Sequence, residues 1–152
     1  MKRYVANNLN DTKYLASSFV NLLKTGDIIA LNGTLGVGKT EFVRSLIQSL
    51  KQNEEVPSPT FTLLQTYDMP NFDLYHFDLY RLEKPEDVYE LGIEDAFSYG
   101  VTLIEWPIKM GKILPQSKVL NIDISISENG SRVFDFSSTN TSWIERLTKW
   151  NI

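Results

Sequence analysis

The strongest chemical signal in the sequence lies at residues 33–40, which read Gly-Thr-Leu-Gly-Val-Gly-Lys-Thr. This is the phosphate-binding P-loop pattern, G-x-x-x-x-G-K-S/T. The glycines let backbone N–H groups approach an anion closely. Lys39 can reach the β- and γ-phosphates of a nucleotide, and the Thr40 hydroxyl can bind Mg²⁺. The alternative interpretation is a glycine-rich turn that matches the pattern by chance.

The segments on both sides of this loop predict the strand and the helix that such a site needs. Residues 27–32 form a short apolar run that indicates a buried strand, and residues 41–50 have apolar side chains at helical spacing. The N-terminus of that helix adds unpaired N–H donors and the positive end of a dipole. The residues expected to contact a nucleotide are Gly33, Thr34, Leu35, Gly36, Val37, Gly38, Lys39, Thr40 and Glu41.

Two acidic residues end predicted strands, where a Mg²⁺ ligand is expected. Glu105 follows the apolar run 101–104, and Asp78 follows the less purely apolar run 72–77. The carboxyl ends of strands in an open α/β sheet face the ligand, and Mg²⁺ is held by few carboxylates together with phosphates and water. Glu105 is the cleaner match of the two. Each could instead be an exposed carboxylate at a strand end.

A proline-flanked segment, residues 58–62, precedes the next predicted strand. In P-loop enzymes, a loop at this position carries a hydroxyl that senses Mg²⁺ or the γ-phosphate and becomes ordered with it. Thr60 or Thr62 could act in this way. A rigid turn leading into the strand explains the pattern equally well.

Three further kinds of side chain are open to more than one interpretation. His76 is the only histidine and the sequence has no cysteine, so a zinc site is excluded. For His76 itself, a structural hydrogen bond is favoured over a role as a general base. Trp106 could form an aromatic wall of the site or belong to the core. Arg44, Arg81 or Arg132 could each stabilise charge in the transition state, and nothing in the sequence selects one of them.

The composition is typical of a folded protein rather than a disordered or membrane one. The 152 residues are 42% hydrophobic and fit one domain, which we expect to span residues 1–152. The net charge of −4 argues against nucleic-acid binding driven by bulk charge. Residues 1–8 contain no apolar leader segment, and no apolar run approaches membrane-spanning length. We therefore expect a cytoplasmic protein.

The order of elements predicts an α/β protein. We expect a P-loop NTPase-like, three-layer fold in which a mixed central sheet includes antiparallel hairpins and has helices on both faces. Turn signals at residues 68–71 and at Asn129-Gly130 indicate the two hairpins. The predicted strands are 2–7, 27–32, 61–67, 72–78, 101–106, 118–126 and 132–137. The predicted helices are 11–24, capped by Asp11 or Thr12, 41–50, 85–91, 94–99 and 141–150.

Four strings in this order resemble the TsaE family, also called YjeE. They are the P-loop at residues 33–40, Ser-Pro-Thr-Phe-Thr-Leu at 58–63, His-Phe-Asp-Leu-Tyr-Arg-Leu at 76–82 and Glu-Trp-Pro at 105–107. Their order and spacing and the total length match over nearly the whole chain. The last two of these strings are far more specific than the P-loop. The family consists of small bacterial P-loop ATPases required to make N6-threonylcarbamoyladenosine in tRNA.

The resemblance implies particular roles for residues of this chain. The nucleotide would be ATP, and Mg²⁺ would be held by Thr40 and Glu105. Asp78 and Trp106 match family positions that are associated with activity, beside the P-loop lysine, Lys39. The region around Thr12 lies near the nucleotide in this family.

The resemblance also implies an indirect role in tRNA modification. The protein would hydrolyse ATP slowly alone, act on the partner proteins TsaB and TsaD, and meet tRNA only through that complex, with no membrane involved. The main alternative is a stand-alone P-loop kinase of small molecules, although no arginine-rich lid follows the P-loop helix. A GTPase would carry an N-K-x-D string, which does not occur. A nucleotide-binding adaptor without catalysis is a further alternative.

Overall fold

The computed structural model describes residues 1–59 and 61–152, and a seven-stranded mixed sheet runs through this part of the chain. The strand order is β1-β7-β6-β2-β5-β4-β3. The strands are β1 (Lys2–Ala6), β2 (Ile28–Asn32), β3 (Leu64–Asp68), β4 (Asp73–Asp78), β5 (Gly100–Glu105), β6 (Val119–Ile126) and β7 (Arg132–Ser137). The central four strands are parallel, while β3–β4, β6–β7 and β1–β7 pair antiparallel.

Helices cover both faces of the sheet, so the predicted three-layer α/β fold is confirmed. One apolar cluster packs the first, second and fourth α-helices against one face, and a second cluster packs the third α-helix and the two later 3₁₀ helices on the other. The helices are α1 (Leu9–Phe19), α2 (Lys39–Leu50), α3 (Ile93–Tyr99) and α4 (Thr141–Lys149), with 3₁₀ helices at Val20–Leu22, Pro85–Tyr89 and Pro107–Ile113. Among the described residues, no helix has the length and apolar character needed to cross a membrane.

The parallel strands bring the predicted acids to one edge of the sheet. Strand β2, which leads into the P-loop, lies between β6 and β5, and β4 lies beyond β5. In the register of β4 with β5, Asp78 is directly opposite Glu105. The carboxyl ends of β2, β4 and β5 therefore meet beside the N-terminus of α2, as expected for an open α/β sheet.

Several predicted element boundaries are wrong for local reasons. Strand β3 begins at Leu64 rather than at residue 61, because Leu63 has a left-handed backbone (φ 66°) and its N–H closes a turn by donating to the Pro59 carbonyl at 2.6 Å. The cap of α1 is Asn8 rather than Asp11 or Thr12: the Asn8 side chain accepts from a backbone N–H of the first turn.

A buried ion pair connects the C-terminal helix to the start of the central strand. The Arg146 guanidinium of α4 donates to both carboxylate oxygens of Asp27, at 2.7 and 2.9 Å, and to the Leu22 carbonyl at 2.8 Å. The same carboxylate accepts from the Lys24 backbone N–H at 2.7 Å. The guanidinium also lies 3.7 Å from the centre of the Trp143 ring. These contacts fix α4 at the edge opposite the P-loop.

Candidate active site

The P-loop backbone has the positive φ angles that its glycines permit. Gly33, Gly36 and Gly38 have φ values of 152°, 76° and 113°. A Cβ atom at Gly33 would lie 2.6 Å from the Val37 side chain and 2.8 Å from the Ile124 carbonyl oxygen, so no other residue fits there without a shift. Gly38 precedes α2 and supplies no side-chain cap, which leaves the first N–H groups of this helix directed at the loop.

The remaining loop residues contribute backbone or lie on its outer side. Val37 is buried in the core beneath the loop, and its N–H donates to the Thr34 carbonyl at 3.3 Å. Thr34 is exposed, and the Leu35 side chain is 66% exposed at the tip of the loop. A phosphate would therefore meet the main chain of these three residues rather than their side chains.

Lys39 is the buried cation of the loop, with 5% of its surface exposed. Its ammonium donates to the Gly33 carbonyl at 2.5 Å and lies 3.8 Å from the centre of the Trp106 ring. Burial lowers the pKa of this ammonium below its ordinary value, while the nearby Glu105 and Asp78 carboxylates act in the opposite direction. A negatively charged phosphate would relieve this burial cost.

Thr40 and Glu105 form the pair that was predicted to hold Mg²⁺. The Thr40 hydroxyl lies 3.2 Å from Glu105 Oε1 and 3.1 Å from Oε2, and Glu105 is 2% exposed. Within the described residues, no group of three or more histidine, cysteine or acidic side chains could hold a metal ion. A hydroxyl and one carboxylate suit Mg²⁺, which takes most of its ligands from phosphate and water, and do not suit a cation that needs a full protein cage.

His76 makes a hydrogen bond, as predicted, and its partner is Glu105, one of the two acids that were candidates for binding Mg²⁺. Its Nε2 lies 2.6 Å from Glu105 Oε2, and the His76 side chain is fully buried. Reasoning on sequence alone missed this contact. The available signal was the spacing of two between His76 and Asp78, because alternate residues of a strand share one face of the sheet.

Asp78 lies at the same edge as Glu105 and is also buried. Its Oδ1 accepts from the Tyr80 backbone N–H at 3.1 Å, and its own N–H donates to the Leu63 carbonyl at 3.0 Å. Both acids line an open cavity of about 370 Å³ together with Lys39 and Thr40. The structure therefore brings together the four side chains that were predicted to surround the phosphates and the metal.

Trp106 has contacts that fit both of its interpretations: its ring lies beside the Lys39 ammonium, and its side chain packs against the second apolar cluster. Its backbone is left-handed, with φ at 59°, immediately after β5 ends. Its ring lies under the Lys39 ammonium and 5.0 Å from the Tyr80 ring, centre to centre. A non-glycine residue with this backbone is uncommon and is typical of functional sites.

A second cavity, of about 240 Å³, lies on the other side of the loop. Gly38 and Glu41 line both cavities, so the two adjoin at the start of α2. Buried Thr12 of α1 lines the second cavity, as does Arg132 of β7. This geometry places Thr12 close to the loop, where it was expected.

The three arginines have different surroundings. Arg44 lines the phosphate cavity, where it donates to the Glu41 carboxylate and, at 3.2 Å, to the Val56 carbonyl. Arg81 stacks on the Phe61 ring at 4.6 Å.

The two threonines considered as sensors of Mg²⁺ or the γ-phosphate are described only in part. Thr62 accepts from the Gln65 amide at 3.2 Å, and Thr60 lies outside the described residues.

Comparison with known proteins identifies close relatives over most of the chain. The model of the family described as "Threonylcarbamoyl adenosine biosynthesis protein TsaE" matches residues 6–134. A Rickettsia bellii protein named "tRNA threonylcarbamoyladenosine biosynthesis protein TsaE" is 42% identical over 135 residues, which are 88% of this chain and 93% of that protein. The Bacillus subtilis protein of the same name is 34% identical over 132 residues, covering 86% of this chain and 82% of that protein.

A solved structure agrees with these sequence matches. The crystal structure of Bacillus subtilis YdiB superposes with a TM-score of 0.83 at 28% identity. The superposition covers 98% of this chain and 93% of that chain. The likeness therefore includes the whole sheet and the helices that position the site.

Proposed function

Because this chain belongs to the TsaE family of threonylcarbamoyl adenosine biosynthesis proteins, we propose that it binds ATP and hydrolyses it with Mg²⁺. The observation that carries this proposal is the pairing of the Thr40 hydroxyl with the buried Glu105 carboxylate, next to the P-loop lysine. These are the groups that a P-loop hydrolase needs to hold a nucleotide and its metal.

The two adjoining cavities suit the two ends of ATP. The phosphates lie in the cavity lined by Lys39, where the P-loop N–H groups and the α2 N-terminus supply donors. The ammonium of Lys39 leaves the Gly33 carbonyl to contact phosphate oxygens. The sugar and base enter the second cavity, beside Thr12 and Arg132. Glu41, which lines both, lies between the two halves of the ligand.

Thr40 and Glu105 are the residues that would hold Mg²⁺. When bound, this ion neutralises charge on the phosphate oxygens and orients them for in-line attack. Glu105 lies where the parallel strands end, and Thr40 lies in the first turn of α2. Their oxygens already lie within hydrogen-bond distance of each other, and both residues line the cavity that would receive the phosphates.

Asp78 and Trp106 would complete the site beside the P-loop lysine. We assign the orientation of the attacking water to Asp78, because its carboxylate lines the phosphate cavity directly opposite Glu105 in the strand register. Trp106 packs over Lys39 and limits where the ammonium can lie. Together they would exclude bulk water from the phosphates.

We propose further that the hydrolysis acts on the TsaB–TsaD complex and so supports threonylcarbamoyl transfer to an adenosine of tRNA in the cytoplasm. The family name supports a place in this pathway. The net charge of −4 supports contact with tRNA through protein partners rather than directly. A stand-alone small-molecule kinase is less well supported because no arginine-rich lid follows α2.

One experiment separates these functions. The release of inorganic phosphate from ATP is measured with the protein alone, then with purified TsaB and TsaD, and then with tRNA added. The proposal predicts slow Mg²⁺-dependent release that rises when TsaB and TsaD are added. No rise, together with no co-purification, would contradict the partner assignment, and phosphate transfer to a small molecule without release would favour the kinase.

A further inference from the structure

The only histidine of the chain contacts the acid that we assign to the metal, deep inside the protein. His76 of β4 and Glu105 of β5 lie on neighbouring parallel strands, where His76 is opposite Leu103, two residues before Glu105. Both side chains therefore project from the same face of the sheet, toward α2. Their closest atoms, His76 Nε2 and Glu105 Oε2, are 2.6 Å apart.

This contact has a defined polarity. An ionised carboxylate only accepts hydrogen bonds, so we assign the proton of this contact to His76 Nε2. Among the described residues, the other ring nitrogen, Nδ1, is buried without a hydrogen-bond partner. The imidazole therefore has Glu105 as its one hydrogen-bonding partner within that part of the chain. A histidine used only to fill the core would not need to place its donor on this acid.

Thr40 and His76 hold Glu105 in different ways. The Thr40 hydroxyl has one proton and lies at nearly equal distances, 3.2 and 3.1 Å, from the two carboxylate oxygens. A hydroxyl that binds Mg²⁺ through a lone pair still has only one proton, so it can donate to only one of the two carboxylate oxygens at a time. The His76 bond comes from the buried side, since the His76 side chain is fully buried. It engages Oε2 and leaves Oε1 for another partner.

We propose that His76 is a positioning residue, which orients the Glu105 carboxylate for Mg²⁺ by holding its Oε2 from within the core. This inference rests on the proposed function, because it takes Glu105 as the acid that binds the ion. Residues that hydrogen-bond a metal ligand from behind typically change metal affinity by about 10- to 100-fold when they are removed. His76 does not touch the nucleotide, so its effect on nucleotide binding should appear only when Mg²⁺ is present.

Three variants test the role of the Nε2 donor. His76→Leu removes the donor, His76→Gln places an amide N–H close to the position of Nε2, and His76→Asn places it close to that of Nδ1. The affinity for the β,γ-imido analogue of ATP is measured by calorimetry with and without Mg²⁺. Mn²⁺ binding in the presence of this analogue is measured by electron paramagnetic resonance. Urea unfolding reports the stability of each variant.

The positioning role predicts a specific pattern. Without metal, all three variants bind the analogue within about two-fold of wild type. In His76→Leu and His76→Asn, Mn²⁺ affinity falls by about 10- to 100-fold, and the gain in analogue affinity on adding Mg²⁺ falls with it. His76→Gln retains most of both. In a Glu105→Ala background, His76→Gln and His76→Asn no longer differ.

Two results would contradict the inference in distinguishable ways. If His76→Gln and His76→Asn have equal Mn²⁺ affinities while wild type depends on metal, His76 is only a core residue and the proposed function stands. This comparison remains decisive if His76→Leu fails to fold. If metal does not change analogue affinity in wild type, the metal assignment of Thr40 and Glu105 is wrong, and both proposals fail together.

Discussion

Two buried acids lie at opposite ends of the central parallel strands, and their partners are of different kinds. Asp27 immediately precedes β2, and its carboxylate accepts from Arg146 through two N–H groups and from the Lys24 backbone. Glu105 ends β5, and its carboxylate accepts from His76 and from a Thr40 hydroxyl placed between its two oxygens. Glu105 also lines the open cavity beside the P-loop.

The difference separates an acid whose partners all come from the fold from one that lines an open cavity, where we propose that it binds Mg²⁺. Asp27 has a full counter-charge in bidentate geometry, which is the strongest arrangement for such a pair. Glu105 instead faces the Thr40 hydroxyl, which could also bind an incoming ion. A carboxylate oxygen that now contacts this hydroxyl could therefore contact the ion. Removing a partner should therefore cost stability at Asp27 and ligand chemistry at Glu105.

The largest expected effect is at the structural acid. Arg146→Met should lower the free energy of unfolding by roughly 3–5 kcal/mol, because it leaves the Asp27 carboxylate buried without its counter-charge. Urea denaturation measures this, and ATP affinity in the absence of urea should not change. The double variant Asp27→Asn/Arg146→Met should recover part of the loss. A large drop in ATP affinity with intact folding would break the distinction between the two acids.

At the ligand side, Lys39→Ala should abolish tight ATP binding. Each charge-assisted hydrogen bond to phosphate contributes about 1.5–3 kcal/mol, so the loss of two should weaken binding by roughly 100-fold or more. Calorimetric titration measures the affinity, and urea unfolding should show no large loss of stability. The matched control is Lys149→Ala, an exposed lysine of α4. Wild-type affinity in Lys39→Ala would refute the P-loop assignment.

Replacing Glu105 by glutamine should affect turnover more than stability. Glu105→Gln keeps the shape of the side chain but loses the charge offered to Mg²⁺, so we expect hydrolysis to slow by about 10- to 100-fold. Some nucleotide binding should remain. Phosphate release at saturating Mg²⁺ is the measurement, with exposed Glu145→Gln as the control. Unchanged turnover would show that another group holds the metal.

The smallest effect is expected at Trp106, whose ring lies beside the Lys39 ammonium. Trp106→Phe keeps a ring beneath the Lys39 ammonium, so ATP affinity should change by about 0.5–1 kcal/mol, less than roughly five-fold. The change in tryptophan emission on ATP binding should disappear in this variant, because Trp143 and Trp150 are buried at the α4 end of the molecule, where Trp143 contacts Arg146. A full emission change in Trp106→Phe would mean that the ligand signal reaches the Arg146 end of the sheet.

Much of this arrangement could be predicted because its causes are local. Turn residues and periodicity over a few positions are enough to predict the P-loop with its strand and helix, both hairpins and the end of β4. Parallel strands share an edge, so the proximity of Asp78 to Glu105 followed from the same reasoning. The family resemblance, which the comparisons confirm, depended on exact strings rather than on periodicity.

The remainder depends on contacts between distant segments, which local patterns do not specify. The His76–Glu105 bond needs the strand order and register, and neither is fixed by composition. The late start of β3 comes from the left-handed backbone of Leu63, although leucine does not favour that conformation. The place of Arg132 beside the second cavity follows only from the pairing of β7 with β1.

The pairing of the first strand with the last has a consequence for the order in which the protein can be assembled during translation. Strand β1 pairs along its length with β7, where Lys2 is opposite Phe136, and the Lys2 ammonium donates to the Trp150 carbonyl. A ribosome would complete the whole P-loop long before β1 could acquire its neighbour. Since Ala6 of β1 and Arg132 of β7 both line the second cavity, this cavity cannot be completed until β7 has been made and paired with β1. The second cavity is therefore among the last parts of the fold that a nascent chain can form.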